Sequence, residues 1–159
     1  MAISRRIARP MMAGMFVVGG LDAARSPEGK APKAEAVTEP LKEPLGLPDD
    51  TAQLVRINGV VQVVAGLMLA TGRLPRLAAL VLGASLVPTT LAGHRFWEAE
   101  GEARAGHRIH FFKNVSMLGG LILAATDTEG RPSLAWRARK AAARAQKAAQ
   151  KAAPSPPSI

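Results

Sequence analysis

Apolar residues fall into four runs along the chain, at about 7–24, 51–71, 74–93 and 111–126. The runs read IARPMMAGMFVVGGLDAA, TAQLVRINGVVQVVAGLMLAT, LPRLAALVLGASLVPTTLAG and FFKNVSMLGGLILAAT. Their lengths lie near the ~17–25 residues that cross a hydrocarbon layer. A soluble bundle would show a polar stripe at helical period on such helices. The stretches AALVLGASLV and SMLGGLILAA show none. The pattern therefore predicts an all-α integral membrane protein, a bundle of four transmembrane helices. The first run is short: 18 residues at ~1.5 Å per residue cover roughly 27 Å, barely a bilayer core. Arg5, Arg6 and Arg9 at its leading edge resemble the basic start of a signal peptide, with small residues for a cleavage site at Asp22-Ala23-Ala24. Three further apolar runs follow, which favours a retained first helix.

Small residues four apart, Ala79 and Gly83, Ser116 and Gly120, and Gly120 and Ala124, are candidates for close helix packing. Pro88 should kink the third helix near Ala84 and free a carbonyl for Thr89 or Thr90 to satisfy. Residues 25–50, with Pro27, Pro32, Pro40, Pro44 and Pro48 among mixed charges, read as an extended, irregular connection. Residues 94–110 form the second connection on that side, where Phe96 and Trp97 suit an interfacial belt. Residues 1–135 thus make the membrane domain. Residues 136–159 make a basic, Ala-rich tail, helical at first and disordered in its final PSPPSI.

Charge sets the orientation. The chain of 159 residues carries a formal charge of +9. The start, the 72–76 turn and the tail hold Arg5, Arg6, Arg9, Arg73, Arg76, Arg131, Arg137, Arg139, Lys140, Arg144, Lys147 and Lys151. The opposite side holds Arg25, Lys30, Lys33, Lys42, Arg95, Arg104 and Arg108 together with ten of the twelve acids. The positive-inside rule then places both termini in the cytoplasm of a multi-pass cell-membrane protein. The tail should lie against anionic lipid, at roughly 1 kcal/mol per nearby basic residue. Nucleic acid suits it less, since no aromatic beyond Trp136 interleaves with the basic residues.

The chain has no cysteine, which excludes a disulfide framework, a CxxC redox pair and a cysteine nucleophile of its own. No Gly-rich phosphate loop, Ser-His-Asp set or paired-carboxylate spacing stands out, and catalysis by the chain itself is not expected. His94, His107 and His110 are read without a metal, because none lies deep in a helix. What remains is a polar layer at the outer mouth: Arg56 and Asn58 in the second run, His94 and Arg95 after the third, Lys113 and Asn114 opening the fourth, and Asp22 closing the first. Ionisable residues at such positions normally face the bundle interior or a water-filled cavity. Asn58, Gln62 and Gly66 follow at steps of four on one helix face, carrying polarity deeper. This face is expected to line a pocket opposite Lys113 and Asn114, with Asp22 as counter-ion to Arg56 or Lys113. The competing reading is structural: amides hold membrane helices together.

Three stretches carry a family resemblance: FVVGGLDAARSPEGK, then RINGVVQVVAGLMLATGRLPRLAALVLGASLVPTTLAGHRFWE, then FFKNVSMLGGLILAATDTEGRPSLAWRAR. Their order resembles the DoxX family of four-helix bacterial membrane proteins, in the form found in actinobacteria, over roughly residues 1–140. GHRFW and FFKN…GG are its most specific parts. The resemblance implies membrane redox or oxidative-stress chemistry, with a redox-protein partner. Many relatives carry a glutamate in mid-helix two, where this chain has Gln62, an amide that cannot titrate. The expected function is an accessory subunit that binds a quinone, a lipid headgroup or a redox partner. In that reading Lys113 bonds a ligand oxygen, Asn114 and Asn58 orient it, and Gln62 forms the floor. The alternatives are a quinone-linked oxidoreductase of small sulfur compounds and a purely structural scaffold. A homo-oligomer would fit the lipid-facing surface of so small a bundle. A transporter would require broken helices at mid-membrane, for which Pro88 is the sole hint.

Overall fold

In a computed structural model that describes residues 2–128, 130, 132 and 134–152, the chain forms six α-helices. These are α1 (Ala2–Arg25), α2 (Ala31–Leu45), α3 (Thr51–Thr71), α4 (Pro75–Gly93), α5 (Gly101–Thr126) and α6 (Leu134–Ala152). The chain divides into two compact units, residues 1–126 and 127–159. Helices α1, α3, α4 and α5 are each long and apolar enough to cross a bilayer, and together they make a helical membrane bundle.

The register within the first unit is antiparallel at each step. Gly20 meets Gly59, and Gly66 meets Ala13 and Val17, which aligns α1 with α3. Hydrogen bonds from Asn58 to Thr89 and from Gln62 to Ser85 align α3 with α4. Asn114 bonds Thr90, and Arg76 Nε donates to the carbonyl of Ala125 at 2.9 Å, aligning α4 with α5. The core is small: Ala13, Phe16, Ala65, Leu69, Ala78, Ala79, Leu82, Leu86 and Leu121 are buried, with Met12, Met68, Met117 and Leu118 packed around them. Large apolar side chains such as Val18, Val64, Leu80 and Leu123 point outward. That inversion of the soluble pattern is what lipid requires.

The tightest contact is between α1 and α3. A methyl built on Gly20 would lie 2.6 Å from the Gly59 carbonyl oxygen, and one built on Gly59 would lie 2.6 Å from the Gly20 carbonyl oxygen. Only glycine on both helices allows this approach, which gains dispersion contact where lipid supplies no hydrophobic drive. The small-residue pairs singled out in α4 and α5 sit more loosely: a methyl on Gly83 would meet Leu118 at 3.5 Å, and one on Gly120 would meet the flexible Met12 at 3.0 Å.

Several expectations are corrected. The first span is longer than its apolar run, because helix formers extend it back through Arg5 and Arg6. The helix as a whole has 24 residues, roughly 36 Å, with the basic Arg5 and Arg6 in its first turns. Residues 25–50 are not extended. Pro27 is fully buried, and its carbonyl accepts from the backbone N–H groups of Lys30 and Ala31. Helix α2 then starts with proline in its first turn, where a missing N–H costs nothing, and ends on Gly46 in the left-handed region. Pro40 and Pro44 stand inside it, four apart on one face. The helix lies against α3 and α4 although the two prolines remove two backbone donors. Most of the 94–110 connection is helical too, since α5 begins at Gly101.

Helix α4 runs continuously past Pro88. Thr89 and Thr90 bond the carbonyls of Ser85 and Leu86, both at 2.7 Å. These lie one and two residues beyond Ala84, whose carbonyl is the one that loses its donor. In the second unit α6 is helical as expected, and helical register places Arg137, Lys140, Arg144 and Lys147 at steps of three and four on one face. Lys140 Nζ lies 4.4 Å from the Trp136 ring centroid, a cation–π contact. Residues 153–159, including the PSPPSI end, and Arg131 lie outside the described residues.

Candidate functional site

The polar residues gather at the end of the first unit where α1 ends and α3 begins. They divide into an inner seam and an outer rim.

The seam is made by α3, α4 and α5. Gln62, buried in α3, donates from Nε2 to Ser85 Oγ at 2.8 Å and reaches Thr89 Oγ1 at 3.5 Å. Ser85 Oγ donates in turn to Asn58 Oδ1 at 2.7 Å, and Asn58 Nδ2 reaches Thr89 Oγ1 at 3.4 Å. Two amides and two hydroxyls thus form one linked network between α3 and α4. On the other side of α4, buried Asn114 donates from Nδ2 to Thr90 Oγ1 at 3.0 Å. Asn58 and Asn114 thus both hydrogen-bond to α4, Asn58 from α3 and Asn114 from α5. Amides in a low-dielectric interior need such partners, because an unpaired one costs a full desolvation penalty. Ser85 was missed in the sequence because hydroxyl residues in an apolar run can bond their own helix and need no second one.

The rim carries the ionisable groups. Lys113 is half-buried, one residue before Asn114, with Nζ 3.5 Å from His110 Nδ1. The His94 ring stacks on His110, with centroids 5.0 Å apart and planes at 21°. It lies 5.8 Å from His107. Its Nδ1 is buried without a hydrogen-bond partner. Burial pushes the His94 imidazole down to about 4, aided by His110, His107, Lys113 and Lys33. Among the described residues no three His, Asp or Glu groups are placed to hold a metal ion.

Asp22 serves neither Arg56 nor Lys113. It pairs with Lys30 at 2.7 Å, while Arg56 pairs with Glu28 at 3.4 Å. Both corrections follow from the turn into α2, which returns residues 28–30 to the bundle end. Arg95 Nε donates to the Leu91 carbonyl at 2.9 Å, and its Nη1 lies 3.3 Å from Glu98. Phe96, Trp97, Phe111 and Phe112 form an edge-to-face cluster with centroids 5.2–5.9 Å apart along the sequence of contacts from Trp97 to Phe112. Beside it opens a cleft of about 330 Å³ whose lining includes Pro32, Lys33, Gly93, Arg95, Glu98 and His107.

Comparison with known proteins bears on the first four helices. The DoxX family model matches residues 5–95. The inner membrane protein YphA of Escherichia coli (strain K12) is 32% identical over 75 residues, 47% of this chain and 54% of that protein. The chain thus spans about half the length of that relative. No solved structure matches the chain. Lys113 and Asn114 lie beyond the matched residues, whereas Asn58, Gln62, Ser85 and His94 lie within them.

Proposed function

The chain belongs to the DoxX family, and from that premise we propose that it is an accessory membrane subunit, without catalysis of its own, in redox or oxidative-stress chemistry. Four spanning helices and the likeness to an inner membrane protein place it in a membrane. In this reading both termini face the cytoplasm, and α6 lies on anionic lipid through Arg137, Lys140, Arg144 and Lys147. The ligand is a quinone or lipid headgroup, taken at the rim from the side of the bundle.

One observation supports this reading above the others. The amides of the seam are engaged with α4, while the Lys113 ammonium stands at the rim with, among the described residues, an imidazole nitrogen as its hydrogen-bond partner at 3.5 Å. An ammonium has three donors. Lys113 thus has donors to offer a carbonyl or anionic oxygen, with Asn114 fixing its backbone through Thr90. Asn58 and Gln62 support the seam and do not orient the ligand. A redox partner would dock beside the same rim.

The test is purification in mild detergent, followed by mass spectrometry of all that is retained. A stoichiometric quinone or lipid that is lost in Lys113→Ala supports the reading. Retention unchanged in Lys113→Ala sinks it. The mutual hydrogen bonding of Asn58, Gln62, Ser85 and Thr89 favours a second reading, a purely structural layer. That reading expects Lys113→Ala to alter thermal stability alone.

A further inference from the structure

The cleft beside the aromatic cluster shares Arg95, Glu98 and His107 with the rim but does not include Lys113. Its hydrogen-bond donors come from three separate stretches: the cations Lys33 from α2 and Arg95 from the α4–α5 connection, and the imidazole of His107 from α5. Glu98 is the one acid among the described lining residues, and it is already paired with Arg95. The cleft therefore carries net positive charge. A volume of about 330 Å³ accommodates a small polar group.

We propose that this cleft binds a phosphate group, with Lys33, Arg95 and His107 as its donors. Donors that converge from three stretches suit an oxyanion with several acceptor oxygens better than a planar carboxylate, which one guanidinium already satisfies. The height of the cleft points to the same ligand. Phe96 and Trp97 lie in sequence between the lining residues Arg95 and Glu98, and they meet Phe111 edge to face. Aromatic clusters of this kind sit at headgroup level, where lipid phosphates are dense. A phospholipid headgroup and free phosphate share this chemistry.

The experiment uses the full chain in mild detergent and titrates two probes, inorganic phosphate and short-chain phosphatidylglycerol, by calorimetry. Saturable binding is expected, weakened about tenfold or more in Lys33→Gln/His107→Gln. Glu98→Gln, which releases Arg95, should tighten it and thereby gives a readout that loss of folding cannot mimic. Phosphatidylglycerol binding at least about tenfold tighter than phosphate assigns the site to lipid, and equal affinities assign it to the free anion. Absence of saturable binding by both probes, or affinities in both variants equal to the parent's, overturns the proposal. Ligand retention governed by Lys113 is scored separately, so either result can fail without the other.

Discussion

Gly20 of α1 and Gly59 of α3 approach so closely that neither helix has room for a single methyl group between them. Each one's added carbon would lie 2.6 Å from the other's carbonyl oxygen, well inside van der Waals contact. Gly59→Ala should therefore part the two helices and lower stability by ~1–3 kcal/mol, the usual cost of overpacking. Gly19→Ala, at a position with nothing within 4 Å, is the matched control. Thermal unfolding in detergent checks both. Equal midpoints for the two variants would show that the α1–α3 contact yields freely.

Gln62 and Ser85 offer a cleaner measure of the seam. Removing either end of their 2.8 Å hydrogen bond should cost ~0.6 kcal/mol, the average for interhelical bonds in membranes, and at most ~1.7 kcal/mol. Gln62→Leu and Ser85→Ala should be less than additive when combined, since both break the same bond. Strict additivity in the double-mutant cycle would mean that the two side chains act independently.

The surface ion pairs should matter far less. The Arg56 and Glu28 side chains are 57% and 72% exposed, and the Lys30 and Asp22 side chains 41% and 66%. Exposed pairs contribute ~0–1 kcal/mol. Arg56→Gln and Lys30→Gln are expected to shift the unfolding midpoint less than Gly59→Ala does. A larger shift would assign these turns a role in anchoring α2.

His94 gives the fold a pH dependence. Its imidazole ionises near 4 in the folded chain and near 6.5 in an unfolded one. Between those values the unfolded state binds the extra proton, so stability falls as pH drops from about 6.5 towards 4 and is fully present above that window. His94→Asn should flatten this slope. Unfolding midpoints at pH 7 and pH 5 decide it, and an identical drop in parent and variant would place the acid sensitivity elsewhere.

Much of this architecture is legible in the sequence, and the parts that are not share a cause. The four spans show because lipid demands long apolar runs, and each run became a helix. Asn58, Gln62, Lys113 and Asn114 stand out for the same reason, as polar residues set in oil. Their partners do not stand out. Ser85 and Thr90 could bond their own helix, and nothing local says that they face α3 and α5. The Gly20–Gly59 approach joins two residues from different runs, so no spacing within either run marks it. Helix α2 is hidden by its prolines, which normally signal irregular chain. Once α2 folds back, it brings Glu28 and Lys30 to Arg56 and Asp22, and the counter-ion choice made from charge alone is undone.

The buried polar side chains identified in the first unit are Thr51, Gln62, Ser85, Thr90 and Asn114. All are amides or alcohols, groups that neither take nor release a proton near neutral pH. A seam can therefore run into the hydrocarbon without placing a titratable group there. The hydrogen bonds that tie α3, α4 and α5 together there, through Gln62, Ser85, Thr90 and Asn114, thus join groups whose charge stays the same on either side of neutrality.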